Sequence, residues 1–183
     1  MEQPILQTER LVLRPFCLED GPRVEELAGT KEVAATTLTV PHPYPVGGGE
    51  TWIATHQEQL ESGTGVHYAM IERATDDLIG CISLSINPSH KRAELGYWIG
   101  PAYWNRGYCT EAGRALLAMG FDKLGLHRID ARHFARNPSS GRVMEKLGMQ
   151  REGLQRGALQ KGESFEDVVL YGMLATDSRL REL

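Results

Sequence analysis

The chain has only three cysteines in 183 residues, Cys17, Cys81 and Cys109, widely spaced and without a C-x-x-C or Cys/His ligand pattern. That excludes a disulfide framework and a zinc site, and it fits a cytoplasmic, reducing location. No apolar run approaches the ~20 residues that cross a bilayer, and the opening MEQPILQTERLVLRPF is charged from Glu2 onward, so neither a membrane partner nor an export leader is expected. Blocks of one charge are also missing. The formal net charge of -4 comes from acidic and basic residues spread along the chain, which argues against nucleic acid as a partner. Internal repeats and low-complexity tracts are absent. So are the phosphate-loop patterns G-x-x-x-x-G-K-[ST] and G-x-G-x-x-G, which sets aside the nucleoside-triphosphate and dinucleotide folds that need them.

What is present is 41% hydrophobic and 24% charged, the composition of one globular domain, residues 1–183, able to bury a full core. Leu11 to Phe16 reads as a first strand, and Glu19-Asp20 before Pro22 starts a short helix that ends at Gly29. Residues Thr30 to Gly49 carry Pro41, Pro43, Pro45 and three consecutive glycines and are expected to be irregular, before a helix from about Glu50 to Leu60. On that helix Trp52 and Ile53 are expected to be core, and His56, like His42 before it, solvated surface. Val66 to Arg73 and Leu78 to Asn87 form a hairpin about Ala74 to Asp77, and the meander continues into Glu94 to Gly100. A helix from about Thr110 to Leu124, a strand from Arg128 to Phe134 and a helix opening at Pro138 follow. Met149 to Arg156 and Phe165 to Leu174 close the chain as strands. The strand, loop and helix order occurs twice, and a β-α-β unit of that kind sets parallel strands side by side, with ligands binding where they part.

The stretch Ala93 to Thr110, AELGYWIGPAYWNRGYCT, is a strand and a glycine-containing loop leading into a helix. The first N–H groups of a helix lack partners and its dipole favours an anion, so this is the layout of a phosphate cradle. Gly107 lets the backbone approach the ligand and Arg106 adds positive charge. The loop from Trp104 to Cys109 resembles the (Q/R)-x-x-G-x-(G/A) loop of the GNAT superfamily of acetyl-CoA-dependent N-acetyltransferases. Trp104 stands where Gln or Arg is usual, and Cys109 where Gly or Ala is usual. A second stretch, Asn137 to Met149, NPSSGRVMEKLGM, resembles the N-x-x-S-x-x-x-x-E-K-x-G-(F/M) signature of the branch that includes the ribosomal-protein alanine and serine N-terminal acetyltransferases. The opening T-E-R-L-x-L-R at Thr8 to Arg14, A-E-L-G-Y-W at Ala93 to Trp98 and the E-A after Thr110 extend the likeness over nearly the whole chain.

The resemblance implies an α/β fold, a single domain with a mixed, centrally splayed β-sheet flanked by helices, and acetyl-CoA as co-substrate without a metal. It puts the pantetheine arm against the backbone of Tyr97, Trp98 and Ile99, and the pyrophosphate over Asn105, Arg106, Gly107, Tyr108, Cys109 and Thr110. Asn137 would bond the arm, and Arg142 or Lys146 would reach the nucleotide, Lys146 being equally readable as a solvated helix residue. Glu94 is the candidate general base; the alternative is a strand carboxylate paired with Arg92 or another cation. Ser140 is the candidate donor to the leaving sulfur; the alternative is a helix cap. The tyrosine that many members carry further along that helix is replaced near Met144. The acceptor implied is a protein or peptide N-terminal amine, with a small amine such as a polyamine, amino sugar or amino acid as runner-up, bound between residues 30 and 49, Trp52 and residues 157–166. A homodimer is compatible with the resemblance.

Three rival readings stand beside it. Asn137 to Gly141 nearly matches the G-x-S-x-G nucleophile elbow of a hydrolase, with Asp130 and His133 nearby, but lacks the first glycine and has those partners on the wrong side of the serine. His127 and His133 lack a third ligand at useful spacing for a metal. A non-catalytic acetyl-CoA sensor would need no base or acid, and Glu94 and Ser140 weigh against it.

Overall fold

The computed structural model describes residues 3–177. Short strands β1 (Leu6–Gln7) and β2 (Leu11–Pro15) are followed by helices α1 (Gly21–Ala28), α2 (Lys31–Thr36), α3 (Gly48–Ala54) and α4 (His56–Glu61). The meander β3 (Gly65–Glu72), β4 (Asp77–Asn87) and β5 (Arg92–Ile99) leads into α5 (Tyr108–Asp122), β6 (Arg128–Phe134), α6 (Pro138–Lys146) and the hairpin β7 (Gln150–Lys161) and β8 (Ser164–Leu174). The strands form one mixed sheet in the order β1-β2-β3-β4-β5-β6-β8-β7, antiparallel throughout except where β5 meets β6. Among the described residues no helix is long and apolar enough to cross a membrane.

Side-chain alternation decides which layer each face meets. Ala93, Leu95 and Tyr97 of β5 pack with Leu116, Leu117 and Met144 from α5 and α6 in the larger core. Trp98, one residue out of phase, packs instead with Val24, Ala28 and Ile53 from α1 and α3. Helices therefore cover both faces, and β3 and β4 are correspondingly apolar along most of their length rather than alternating. Where α1 and α3 meet, a Cβ on Gly49 would lie 2.3 Å from the Gly21 carbonyl oxygen, so the last of the three consecutive glycines is what lets these helix starts touch.

The structure departs from the sequence reading at several places, beginning with the added strand β1 and the start of β5 at Arg92. The segment expected to be irregular contains α2, whose N-terminus is capped by the Thr30 hydroxyl accepting from the Val33 N–H at 3.4 Å. The helix expected from Glu50 to Leu60 begins at Gly48 and is two helices that meet at Thr55. Strand β7 runs past Arg156 to Lys161, so much of the expected loop at 157–166 is hairpin. Helix α5 starts at Tyr108, directly after Gly107.

Leu116 of α5 is fully buried against the sheet. Leu116→Ala is expected to lower the unfolding free energy by about 3 kcal/mol, read as a lower urea midpoint with an unchanged slope.

Candidate active site

Parallel pairing between β5 and β6 covers only Arg92 with Arg128, Ala93 with Ile129 and Glu94 with Asp130. Beyond Glu94 the strands diverge, and a cavity of about 720 Å³ opens between them, walled by Glu94 to Ile99 on one side and Arg132 to Phe134 on the other. Backbone groups along a strand point alternately to its two neighbours. The Gly100 N–H donates to the Ile79 carbonyl at 2.9 Å, on the β4 side, which leaves Tyr97 and Ile99 facing the opening. The Ile99 carbonyl accepts from the Trp104 indole N–H at 2.8 Å. The residue that departs from the expected loop pattern thus ties the loop to the strand it follows.

At one end of the cavity lies the start of α5. Gly107, at φ 82, turns the chain into the helix, and the first N–H to bond back within it is that of Glu111, to the Gly107 carbonyl at 3.0 Å. The N–H groups of Tyr108, Cys109 and Thr110 are therefore free of helical partners, and all three residues line the cavity with Asn105 and Gly107. Glu111 anchors this turn. Its Oε1 accepts from the Thr8 hydroxyl at 2.6 Å and the Arg10 N–H at 2.7 Å, and its Oε2 from Arg10 Nε at 2.7 Å. Burial alone would raise the Glu111 carboxyl, but these hydrogen bonds outweigh it and hold the group below the usual carboxylate range. Arg10 also donates to the Arg106 carbonyl at 2.9 Å, and Tyr108 bonds to Glu72 through its hydroxyl. Arg106 itself is outside the cavity wall, its guanidinium 5.9 Å from the Tyr103 ring. Burial pushes the Cys109 thiol up to about 12, which keeps it neutral beside the cradle.

The remaining predicted groups converge on the same cavity. Glu94 and Arg132 line it and form an ion pair across the fork, Arg132 Nε to Glu94 Oε1 at 2.8 Å, each side chain 42% exposed. Arg92 is engaged elsewhere, on Asp130. Ser140 is not a cap: the N-cap of α6 is Asn137, and the Ser140 hydroxyl sits 2.8 Å from the Tyr97 hydroxyl, which is also 2.9 Å from the Ser140 carbonyl. Burial raises the Tyr97 phenol, with the Ser140 hydrogen bond working weakly against it, so the phenol stays protonated. Asn137, Arg142 and Lys146 line the cavity, Arg142 donating to the Ser139 hydroxyl at 2.7 Å. The hydrolase reading loses its footing, because Ser140 meets a phenol while the His133 Nδ1 bonds to the Phe134 carbonyl at 2.8 Å. Among the described residues no three His, Cys, Asp or Glu side chains are grouped to hold a metal.

A family model described as acetyltransferase (GNAT) domain matches residues 10–150. The chain belongs to the GNAT acetyltransferase family. It is 38% identical over 170 residues to the Bacillus subtilis (strain 168) protein named uncharacterized N-acetyltransferase YnaD, covering 92% of this chain and 96% of that one. It is 32% identical over 100 residues to the ribosomal-protein-serine acetyltransferase of Escherichia coli (strain K12), which covers 54% of this chain and 56% of that one. The crystal structure of a GNAT-family acetyltransferase from Bacillus anthracis superposes with a TM-score of 0.85 at 27% identity, over 95% of this chain and 100% of that one. The chain is accordingly an acetyl-CoA-dependent N-acetyltransferase with a mixed, splayed sheet.

The far end of this cavity combines part of the expected wall, from residues 30–49 and Trp52, with strand residues the sequence reading did not single out. Ser83 and Ser85 of β4 and His67 of β3 form its floor beside Glu94, with Thr36, Thr37, Pro41, Tyr44 and Trp52 as walls. His67 lies directly across the sheet from Ser83, so strand alternation could have put both on the Glu94 face had the register been known. Of the segment at 157–166, Leu159 lines the cavity. The rim is tied by Arg136, which bonds to Glu166 and donates to the Ala35 carbonyl at 2.8 Å, satisfying one of the open carbonyls at the end of α2. His42 bonds to the Gly29 carbonyl and is outside the wall. His56 is not solvated surface. It stacks on His67 with ring centroids 4.1 Å apart, under Trp52 and Phe16, with neither ring nitrogen hydrogen-bonded.

Burial pushes the His67 imidazole down to about 4, and burial together with the neighbouring His67 pushes His56 down to about 3. His67 Nε2 donates to Gln59 Oε1 at 2.6 Å, which leaves its buried Nδ1 bare. Because the folded values lie below the unfolded one, the unfolded chain binds more protons. Stability is complete above about pH 6.5 and is lost as pH falls toward 4. At pH 5 His67 alone is expected to cost about 2 kcal/mol and His56 about as much, so His67→Phe should remove about half of the fall in urea midpoint between pH 7 and pH 5. A wild-type midpoint unchanged over that range would contradict the buried neutral pair.

Proposed function

We propose that acetyl-CoA lies along the opened edge of β5, with its pyrophosphate over the N–H groups of Tyr108, Cys109 and Thr110, and that an α-amine enters from the α2 and α3 side. The observation that carries this reading is the fork itself: three paired residues, then an unpaired strand edge with a helix N-terminus at one end and a carboxylate at the other. Asn105 and Gly107 shape the cradle, and Arg106 serves it through the backbone bond to Arg10 rather than through its charge. Backbone alternation gives the pantetheine contacts to Tyr97 and Ile99, with Trp98 contributing its ring to the wall. Asn137 bonds the arm, and Arg142 and Lys146 face the nucleotide from α6.

The amine must attack as a free base. Glu94, half exposed and held at the fork by Arg132, takes its proton through a water molecule. The nitrogen adds to the thioester carbonyl, and the Ile99 N–H stabilises the oxyanion, its own carbonyl being occupied by Trp104. When the carbon–sulfur bond breaks, the thiolate accepts a hydrogen bond or proton from the Ser140 hydroxyl, which the Tyr97 phenol orients. Tyr97 supplies a phenol to this region from a strand, in place of the helix tyrosine missing near Met144.

An N-terminal α-amine is favoured by the likeness to a ribosomal-protein-serine acetyltransferase and by the census of charge. Glu94 is the one carboxylate among the described residues lining the cavity, and it is already paired. A polyamine would need several. Titration calorimetry and thiol release test the reading together. Acetyl-CoA should bind, Gly107→Trp should abolish binding, and Glu94→Gln should keep acetyl-CoA affinity while lowering turnover by about 10²- to 10⁴-fold. Full turnover by Glu94→Gln would move the base elsewhere, and absence of acetyl-CoA binding would refute the placement.

A further inference from the structure

We infer that Arg132 is the anchor for an anion on the acceptor, so that the amine acetylated by this chain carries a carboxylate close to its nitrogen. The inference rests on the fork being the transfer site. Arg132 stands on β6 two residues past the last β5–β6 pair, faces the cavity, and meets Glu94 through Nε at 2.8 Å. Its two Nη groups have no hydrogen-bond partner among the described residues. The other arginines on this part of the sheet are committed: Arg92 to Asp130, Arg128 to Asp130 and Glu152, Arg136 to Glu166 and the Ala35 carbonyl. A guanidinium with its outer edge open presents two parallel N–H donors, the geometry that matches a carboxylate.

The charge balance of the cavity points the same way. Its charged lining consists of Glu94 against Arg132, Arg142 and Lys146, and the last two lie on α6, away from the acceptor end. The acceptor end therefore offers one negative and one positive group held 2.8 Å apart. A purely cationic acceptor finds its carboxylate already neutralised. A neutral one displaces water from the guanidinium and returns nothing. An acceptor with its amine at Glu94 and a carboxylate at Arg132 leaves neither group without a partner. The carboxylate has two sources: the α-carboxylate of a free amino acid, or an acidic side chain on the first residue of a peptide.

Thiol release from acetyl-CoA would be followed with four acceptor sets: free α-amino acids, dipeptide amides beginning with Asp or Glu, dipeptide amides with neutral side chains, and spermidine. One of the first two sets is expected to exceed the last two by about tenfold or more in kcat/KM, and which of them leads identifies the source of the carboxylate. Arg132→Gln should raise KM for the carboxylate-bearing acceptors about tenfold more than for the neutral ones, with acetyl-CoA affinity intact. Arg132→Lys should restore part of the difference. A lead for spermidine or the neutral amides, or an equal loss for every acceptor in Arg132→Gln, would overturn the inference, since a residue that only braces the fork affects all acceptors alike. Acetyl-CoA binding without thiol release from any set overturns the inference and the transfer step together. Failure to bind acetyl-CoA overturns the reading beneath both.

Discussion

Everything in this molecule that touches the cavity depends on one parallel pairing that stops early. Strands β5 and β6 share three residues of register and then separate. A parallel pair that continued would close the sheet and satisfy the edge of β5 with backbone from β6; by parting, it leaves amides that a bound chain can use. The separation is sustained because each strand has support on its other side: β5 pairs with β4 from Arg92 to Ile99, and β6 with β8 from Arg128 to Phe134. The Glu94–Arg132 ion pair bridges the gap where the backbone no longer does.

The same economy explains sequence features with no obvious chemistry of their own. The opening T-E-R is a brace, with Thr8 and Arg10 converging on Glu111 and fixing the first turn of α5 against β2. Trp104 is a second brace, tying the loop to Ile99. These contacts hold the helix N-terminus in place, so that in the proposed reading a phosphate finds N–H groups already aimed. The opposite end of the cavity is built differently, from short side chains of β4, threonines at the end of α2 and one ion pair, and its rim is drawn in by Arg136 on the Ala35 carbonyl.

Much of the strand, loop and helix layout at the start of α5 was legible in the chain, because its signals are local: a glycine before a helix, a strand before the glycine, and motif residues within a few positions of one another. The opposite end was legible only in part: residues 30–49 and Trp52 were expected in its wall, but His67, Ser83, Ser85 and Arg132 were not, because their contacts join residues far apart in sequence. Arg132 reads as one more polar position in an alternating strand until the fork brings it to Glu94. His56 was read as surface from its residue type although it follows Trp52 and Ile53 at helical spacing, and stacking on His67 under Trp52 buries it. Helix α2 lay hidden in a proline-rich segment although Thr30 carried a cap signal. The extension of β7 past Gly157 was obscured because polar residues and a glycine resemble a loop when a strand is exposed at a sheet edge.

The account turns on what fills the fork, and site-resolved amide hydrogen exchange with and without acetyl-CoA addresses that directly. The predicted result is slowed exchange at Ile99 and at Tyr108, Cys109 and Thr110, with the β2 and β3 amides unchanged. Protection confined to the α1 to α3 side, or none at the start of α5, would contradict it.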